Sequence, residues 1–306
     1  MSNITFKHIP VMLEQCIEAL DIKQNGIYVD GTMGGCGHSS AIAKLGGKVI
    51  GIDRDMVAIE NAKTNFPEIT PVYDNYCNIK SILNKLNIDK IDGALLDLGV
   101  SSYQLDTPER GFSYRFTAPL DMRMDTGKGQ TAYDVVNGYS KEQLEKIFFL
   151  YGEEQYAKRI ASNIIEAREL SPIKTTTELA DIISRSVPAK AKRDKHPAKK
   201  VFQAIRIEVN GELEVLKQTF TDFCDVLKEG GRLAVITFHS LEDRITKTTF
   251  NELAKGCQCP PDFPVCVCGI QPKATVVTKK PILPSDEELE RNPRSASAKL
   301  RVLMKK

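Results

Sequence analysis

Between Ile27 and Leu98 short, nearly continuous apolar runs alternate with amphipathic stretches, and this order constrains the fold more than any other feature of the chain. Ile27-Tyr28-Val29, Lys48 to Ile52, Ile69 to Tyr73 and Ala94 to Leu98 read as strands. His38 to Leu45, Asp55 to Asn65 and Ile79 to Leu86 read as the helices between them. Strands without a polar face are buried on both sides, so the pattern predicts an α/β fold with a parallel sheet covered by helices. An opening helix precedes it, since Met12, Leu13, Cys16, Ile17 and Leu20 share one helical face after Pro10.

The rhythm breaks after Ser102. From Asp106 to Gly129 the chain is loop-rich, and helical patterns then follow without strands: Ser140 to Tyr151 behind a Ser140/Gln143 capping box, Glu153 to Leu170, and Thr175 to Val187 behind a Thr175/Glu178 box. Alternation returns with a helix from Glu212 to Leu227, a Gly230-Gly231 stop, a strand from Leu233 to Phe238, a helix from about Leu241 and a strand near Leu300 to Leu303. The expected organisation is a split core, residues 1–105 and 207–306, interrupted by a helical insertion at 106–206.

The first strand ends in Asp30, followed by Gly31-Thr32-Met33-Gly34-Gly35-Cys36-Gly37-His38. Glycines allow a sharp turn and close approach of a ligand to backbone amides at the start of the next helix, whose dipole favours an anionic group. Sixteen residues after Gly37, Asp53 ends the second strand, where a carboxylate accepts ribose hydroxyls. NAD and S-adenosylmethionine share these two features. The glycines miss the dinucleotide G-x-G-x-x-G register, and acids end three strands, Asp30, Asp53 and Asp97. Three carboxylates suit a cationic cofactor, an ammonium beside a sulfonium, better than a pyrophosphate; a nicotinamide-dependent oxidoreductase is the disfavoured alternative.

The chain has 306 residues, with 42 Lys and Arg against 40 Asp and Glu, so any nucleic-acid surface must be local. Residues 190–206 supply one: Lys190, Lys192, Arg193, Lys195, Lys199, Lys200 and Arg206 against the single acid Asp194. The longest apolar runs, such as Leu233 to Phe238, fall far short of the roughly 18–20 residues a membrane span needs. The amino terminus lacks a basic-then-apolar signal pattern, so a cytoplasmic location and reduced thiols are expected. Four of eight cysteines cluster as Cys257-Gln258-Cys259 and Cys266-Val267-Cys268 around a proline-rich turn. They are candidate ligands of a structural zinc ion, although one-residue spacers lie outside the usual chelate spacing, and reduced thiols are the equal alternative.

Ten ordered stretches carry a family likeness. They are Lys7-His8-Ile9-Pro10-Val11, Asp30 through Ser39, Leu96-Asp97-Leu98-Gly99-Val100-Ser101-Ser102, Glu109-Arg110-Gly111-Phe112-Ser113 and Pro119 through Asp125. The rest are Tyr151-Gly152-Glu153-Glu154, His196-Pro197-Ala198, Phe202 through Arg206, Phe238 through Arg244, and Asn292-Pro293-Arg294. Over nearly its whole length the chain resembles the bacterial ribosomal RNA small-subunit methyltransferase H family, which methylates N4 of a decoding-centre cytidine in 16S rRNA. The resemblance implies a Rossmann-like class I S-adenosylmethionine-dependent methyltransferase core with an inserted helical subdomain for substrate recognition. It implies 16S rRNA or the small ribosomal subunit as partner, and cofactor contacts at Cys36, Gly37, His38, Asp53, Tyr76, Asp97 and Gln104. Cys36 departs from the family's usual Gly or Ala, and Ala296 from its usual Arg.

Within that resemblance the transfer chemistry needs acceptors for the amino hydrogens of cytosine, whose N4 lone pair is delocalised. The Asp/Asn-Pro-Pro-aromatic turn common among amino-methyltransferases is replaced here by Asp97-Leu98-Gly99-Val100-Ser101-Ser102. Candidate catalytic residues are therefore Asp97 and, ending the fifth strand at the same edge, His239 beside Phe238. Asp97 serves equally as a cofactor contact, and His239 equally as a helix cap. Lys192, Arg193, Lys199, Lys200 and Arg206 are the candidate RNA contacts. A non-catalytic ribosome-assembly factor with a vestigial pocket is the alternative function.

Overall fold

The computed structural model describes residues 9–189, 196–256, 259, 263, 265 and 268–306. In chain order the first elements are α1 (Leu13–Leu20), β1 (Ile27–Asp30), α2 (Gly37–Lys44), β2 (Lys48–Asp53), α3 (Met56–Asn65), β3 (Ile69–Tyr73), α4 (Ile79–Lys85) and β4 (Ile91–Asp97). Six helices follow: α5 (Ser102–Asp106), α6 (Ala132–Gly138), α7 (Lys141–Leu150), α8 (Ala157–Leu170), α9 (Thr176–Ser186) and α10 (Ala198–Asn210). The chain continues with α11 (Leu216–Val226), β5 (Leu227–Thr237), α12 (Ser240–Ala254), β6 (Ala274–Val276), α13 (Asp286–Arg291) and β7 (Lys299–Lys305). No helix among the described residues is long and apolar enough to cross a membrane.

Two compact units result, one made of the segments up to Gly99 and from Glu214, the other Val100–Leu213. The divisions fall at Gly99/Val100 and Leu213/Glu214 rather than at 105/106 and 206/207. Helix α5 packs with the helical unit through Leu105, and α10 runs through position 206 without a break.

In the first unit the sheet order is β3-β2-β1-β4-β5-β7-β6. The five strands from β3 to β5 are parallel; β7 runs antiparallel to β5, and β6 antiparallel to β7. The fold is Rossmann-like, as the alternation predicts, with an antiparallel edge that no local pattern announces. Register places Asp30 opposite Gly51 of β2 and Leu95 of β4, so the carboxyl ends of β1, β2 and β4 lie side by side. Strand order reverses at β1, which makes this edge the crevice of an open α/β sheet. Leu95, Leu96, Ala234, Val235 and Ile236 are fully buried; each large aliphatic chain so buried contributes about 1.5–3 kcal/mol. Gly230-Gly231 does not end a helix before a strand but sits within β5. Pairing with β4 steps from Ile91↔Leu227 to Gly93↔Arg232, so Lys228 to Gly231 bulge out, and Gly230 adopts φ +76.

The helical unit has its own core, built from Val135, Leu144, Phe148, Ile160, Ile164, Leu179, Ile183, Val201 and Ile205 among others. Its capping boxes are in place: Ser140 with Gln143 starts α7, and Thr175 with Glu178 starts α9. Helix α8 begins at Ala157 rather than Glu153, because Glu153 takes a left-handed φ of 48 and the buried Glu154 carboxylate accepts the Tyr156 amide at 2.9 Å. Helix α10 carries the downstream part of the basic run; Ala198, Val201, Phe202 and Ile205 are its buried stripe at helical spacing.

Candidate active site

The glycine turn is anchored from below. Met33 is buried with its sulfur where a Cβ on Gly51 would fall, 2.3 Å away, and its amide bonds Ile52 O at 3.0 Å. Gly31 leaves no room for a side chain either: a Cβ there would meet Leu96 at 2.4 Å and the Tyr76 Cβ at 3.1 Å. That contact brings Tyr76, half-buried in a 3-10 turn after β3, beside the start of the turn. Cys36 is fully buried with φ +65, a conformation costing an L-residue roughly 1 kcal/mol relative to glycine. Burial pushes its thiol up to about 12, so it stays protonated. Its amide donates to Met33 O at 2.8 Å and its carbonyl accepts from Ser40, so the expected Cys36 backbone donor is already used inside the turn. First-turn amides that a helix leaves unpaired then fall to Gly37 and His38.

Asp30 is buried; its carboxylate accepts Ser39 Oγ at 2.7 Å and the Thr32 amide at 3.2 Å. Desolvation raises its pKa, against the pull of the adjacent His38, whose own pKa burial lowers. Asp53 holds the turn in shape: Oδ2 accepts the Gly34 amide and Oδ1 the Asp55 amide, each at 2.8 Å. Burial nevertheless lifts its pKa to about 6. Each oxygen keeps a second lone pair for a hydroxyl.

Asp97 has the strongest claim to a ligand. Its Oδ1 is buried with no hydrogen-bond partner among the described residues. Desolvation, then the negative charges of Asp30 and Glu242, push its pKa well above the carboxylate range. Its amide is fixed to Thr32 Oγ1 at 2.7 Å. Nearby, Gly99 adopts φ +120, and a Cβ there would press on the Phe238 ring at 3.3 Å. Glu242, buried in the first turn of α12, accepts the Phe238 and His239 amides at 2.8 and 3.3 Å. His239 Nε2 lies 3.0 Å from Glu242 Oε1 but is not aligned to hydrogen-bond it.

An S-adenosylmethionine-shaped set of demands fits these residues. The partnerless Asp97 oxygen and the Asp30 carboxylate would hold a cation, Asp53 ribose hydroxyls, Tyr76 a flat base, and the Gly37 and His38 amides a carboxylate.

Sequence reading missed a strap over this site. Pro10 packs where a Cβ on Gly37 would lie, 3.0 Å away, and His38 Nε2 donates to Val11 O at 3.0 Å. Glu288 Oε1 accepts the Met12 amide at 3.2 Å, and Asn292 Nδ2 reaches both Ile9 O and Glu288 Oε1 at 3.4 Å. Helix α13 thus clamps residues 9–12 against the start of α2. The Asn292-Pro293-Arg294 stretch was the available signal, without a hint of its partner. Asn292→Ala is expected to destabilise the protein by about 1 kcal/mol in urea titrations and to weaken cofactor binding several-fold in calorimetry. Unchanged values in both would show the clamp to be idle.

Other candidates divide. Gln104 belongs to the helical unit, where it is buried and completes a capping box with Ser101 at the start of α5. Arg206 is not turned to solvent: its guanidinium forms a bidentate pair with the buried Glu212 at 2.8 and 2.9 Å, so its charge is neutralised inside the fold. Lys200 Nζ donates to Glu153 O at 2.8 Å. Lys192, Arg193, Cys257 and Cys266 lie outside the described residues; Cys259 and Cys268 are half-buried.

Comparison with known proteins assigns the family. Ribosomal RNA small subunit methyltransferase H of Clostridium botulinum (strain Loch Maree / Type A3) is 55% identical over 306 residues, 98% of this chain and 99% of the relative. The protein of that name from Ruminiclostridium cellulolyticum is 54% identical over 310 residues, with the same coverage. A solved rRNA methylase of Streptococcus thermophilus matches 98% of both chains at 12% identity and a TM-score of 0.42, too remote to add to the assignment. A model of the MraW methylase family matches residues 5–306, and the chain belongs to that family.

Proposed function

We propose that the protein uses S-adenosylmethionine to methylate N4 of a cytidine in the decoding centre of 16S ribosomal RNA, in the cytoplasm. The observation that carries this reading is the buried, partnerless Asp97 Oδ1 at the carboxyl edge of the sheet, among two further strand-end acids. A buried carboxylate without a partner is costly unless a ligand completes it. The relatives named for small-subunit RNA methylation, matched over almost the whole chain, support the substrate class.

Bound in this crevice, S-adenosylmethionine supplies an electrophilic methyl group on a sulfonium. Asp53 and the Gly37 and His38 amides would hold it at its two ends, and Tyr76 would offer its base a flat face. Cytosine N4 becomes nucleophilic when its amino hydrogens are held by acceptors that localise the lone pair, the role this reading gives to Asp97. Phe238 and His239 offer the extruded base a stacking surface and a polar contact. Such preorganised positioning, with the reacting atoms about 3–3.5 Å apart, carries most of the rate enhancement without a strong base.

The test is methylation of small subunits purified from cells lacking the protein, with labelled cofactor, followed by nucleoside mass spectrometry. N4-methylated cytidine is the expected product. A different methylated nucleoside would overturn the N4 assignment, and absence of transfer to subunits and free RNA alike would favour a non-catalytic assembly role.

A further inference from the structure

Taking RNA as substrate, we propose that His196, backed by Tyr114, is a stacking platform for an unpaired RNA base, with Lys199 beside it as a phosphate contact. His196 is exposed, and its ring has two partners within the fold. It stacks on Tyr114 with centroids 4.6 Å apart and planes 14° from parallel. Tyr114 is in turn braced edge-on by the buried Phe202 at 5.5 Å and 78°. The Ala198 amide donates to His196 Nδ1 at 3.2 Å, which fixes the ring's rotation and puts the hydrogen of the neutral imidazole on Nε2.

The helix start beneath it is anchored by its neighbours. Lys200 Nζ and Gln203 Nε2 tie the first turns of α10 to Glu153 O and Tyr151 O, at 2.8 and 3.0 Å. Gly152 abuts the Lys200 carbonyl so closely that a Cβ would sit 2.9 Å from it.

A solvent-facing aromatic ordered in advance loses little entropy when a base settles on it, and stacking on such a ring contributes about 1–3 kcal/mol per base. Charge points the same way. Lys199 is exposed and forms no ion pair among the described residues, unlike the internally engaged Lys200 and Arg206. Immediately upstream the sequence carries four further bases and one acid. A flat ring in a positive field is the recognition chemistry of single-stranded RNA, in which exposed bases stack and phosphates are neutralised.

The competing role for His196 is merely to cap α10, and two substitutions separate the roles. His196→Phe keeps the ring and loses the Nδ1 acceptor; His196→Asn keeps an acceptor and loses the ring. Binding of a fluorescently labelled unpaired RNA oligonucleotide and of purified small subunits is measured for both and for His196→Ala, with thermal midpoint and cofactor affinity as controls for folding. His196→Ala and His196→Asn are expected to bind RNA about 10-fold more weakly and His196→Phe within about 2-fold of wild type. Retention by His196→Asn with loss by His196→Phe would assign the ring to capping and overturn the platform, as would wild-type affinity in all three. A wild-type protein that binds neither RNA would instead overturn the substrate reading, and the platform with it.

Discussion

Asp97→Asn is expected to leave the cofactor-free protein at least as stable as wild type while lowering methyl transfer by about a thousandfold. The carboxylate sits with one oxygen buried and partnerless, and desolvation beside Asp30 and Glu242 opposes its charge. A neutral amide of the same shape removes that burden from the folded state. On the proposed reading it also removes the charge that would meet the cofactor's cationic centre; an ion pair at about 4 Å and an effective dielectric near 20 is worth about 4 kcal/mol, or about three orders of magnitude. Urea titration and single-turnover transfer report the two quantities separately. A variant that loses stability but keeps its rate would make Asp97 a structural residue and undo the assignment.

Asp53→Asn is expected to weaken S-adenosylmethionine binding about 100-fold at neutral pH, from the loss of about 3 kcal/mol in hydrogen bonds to a charged acceptor. The pH dependence distinguishes this from a loosened turn. Burial raises the Asp53 pKa to about 6 in the folded protein, from an ordinary value of 3.8. Between those values the folded state holds more protons than the unfolded, so this group's contribution to stability falls as pH rises through that window and is level above it. Cofactor affinity moves oppositely, rising with pH through about 6 as the carboxylate ionises. In Asp53→Asn both trends flatten, and calorimetry from pH 5 to 8 on the two proteins would reveal a shared slope if another group were responsible.

The parts of the fold legible in the sequence are those set by neighbours a few residues apart. The strands β1 to β4, the caps of α7 and α9, and the Asp residues ending β1, β2 and β4 depend on local periodicity, short side-chain bonds and strand length. Helix α10 carries its signal too, in the spacing of Ala198, Val201, Phe202 and Ile205 beneath a Lys-rich face. Cys36 was visible as an unusual residue, while the reason it strains there, a left-handed turn between Met33 and α2, is a property of the packed loop. Nothing local announces the Glu288 clamp on Met12, whose partners are 276 residues apart, nor the antiparallel sense of β7.

That last strand occupies an interior place in the sheet, hydrogen-bonded to β5 on one side and β6 on the other. During synthesis, therefore, β5 emerges with an open edge and keeps it until Lys299–Lys305 have been made, while the strap at residues 9–12 waits for α13. A nascent chain in this state presents an unpaired apolar strand, a template for wrong pairing. The clamp on residues 9–12 beside the crevice is thus finished only after α13 has been made.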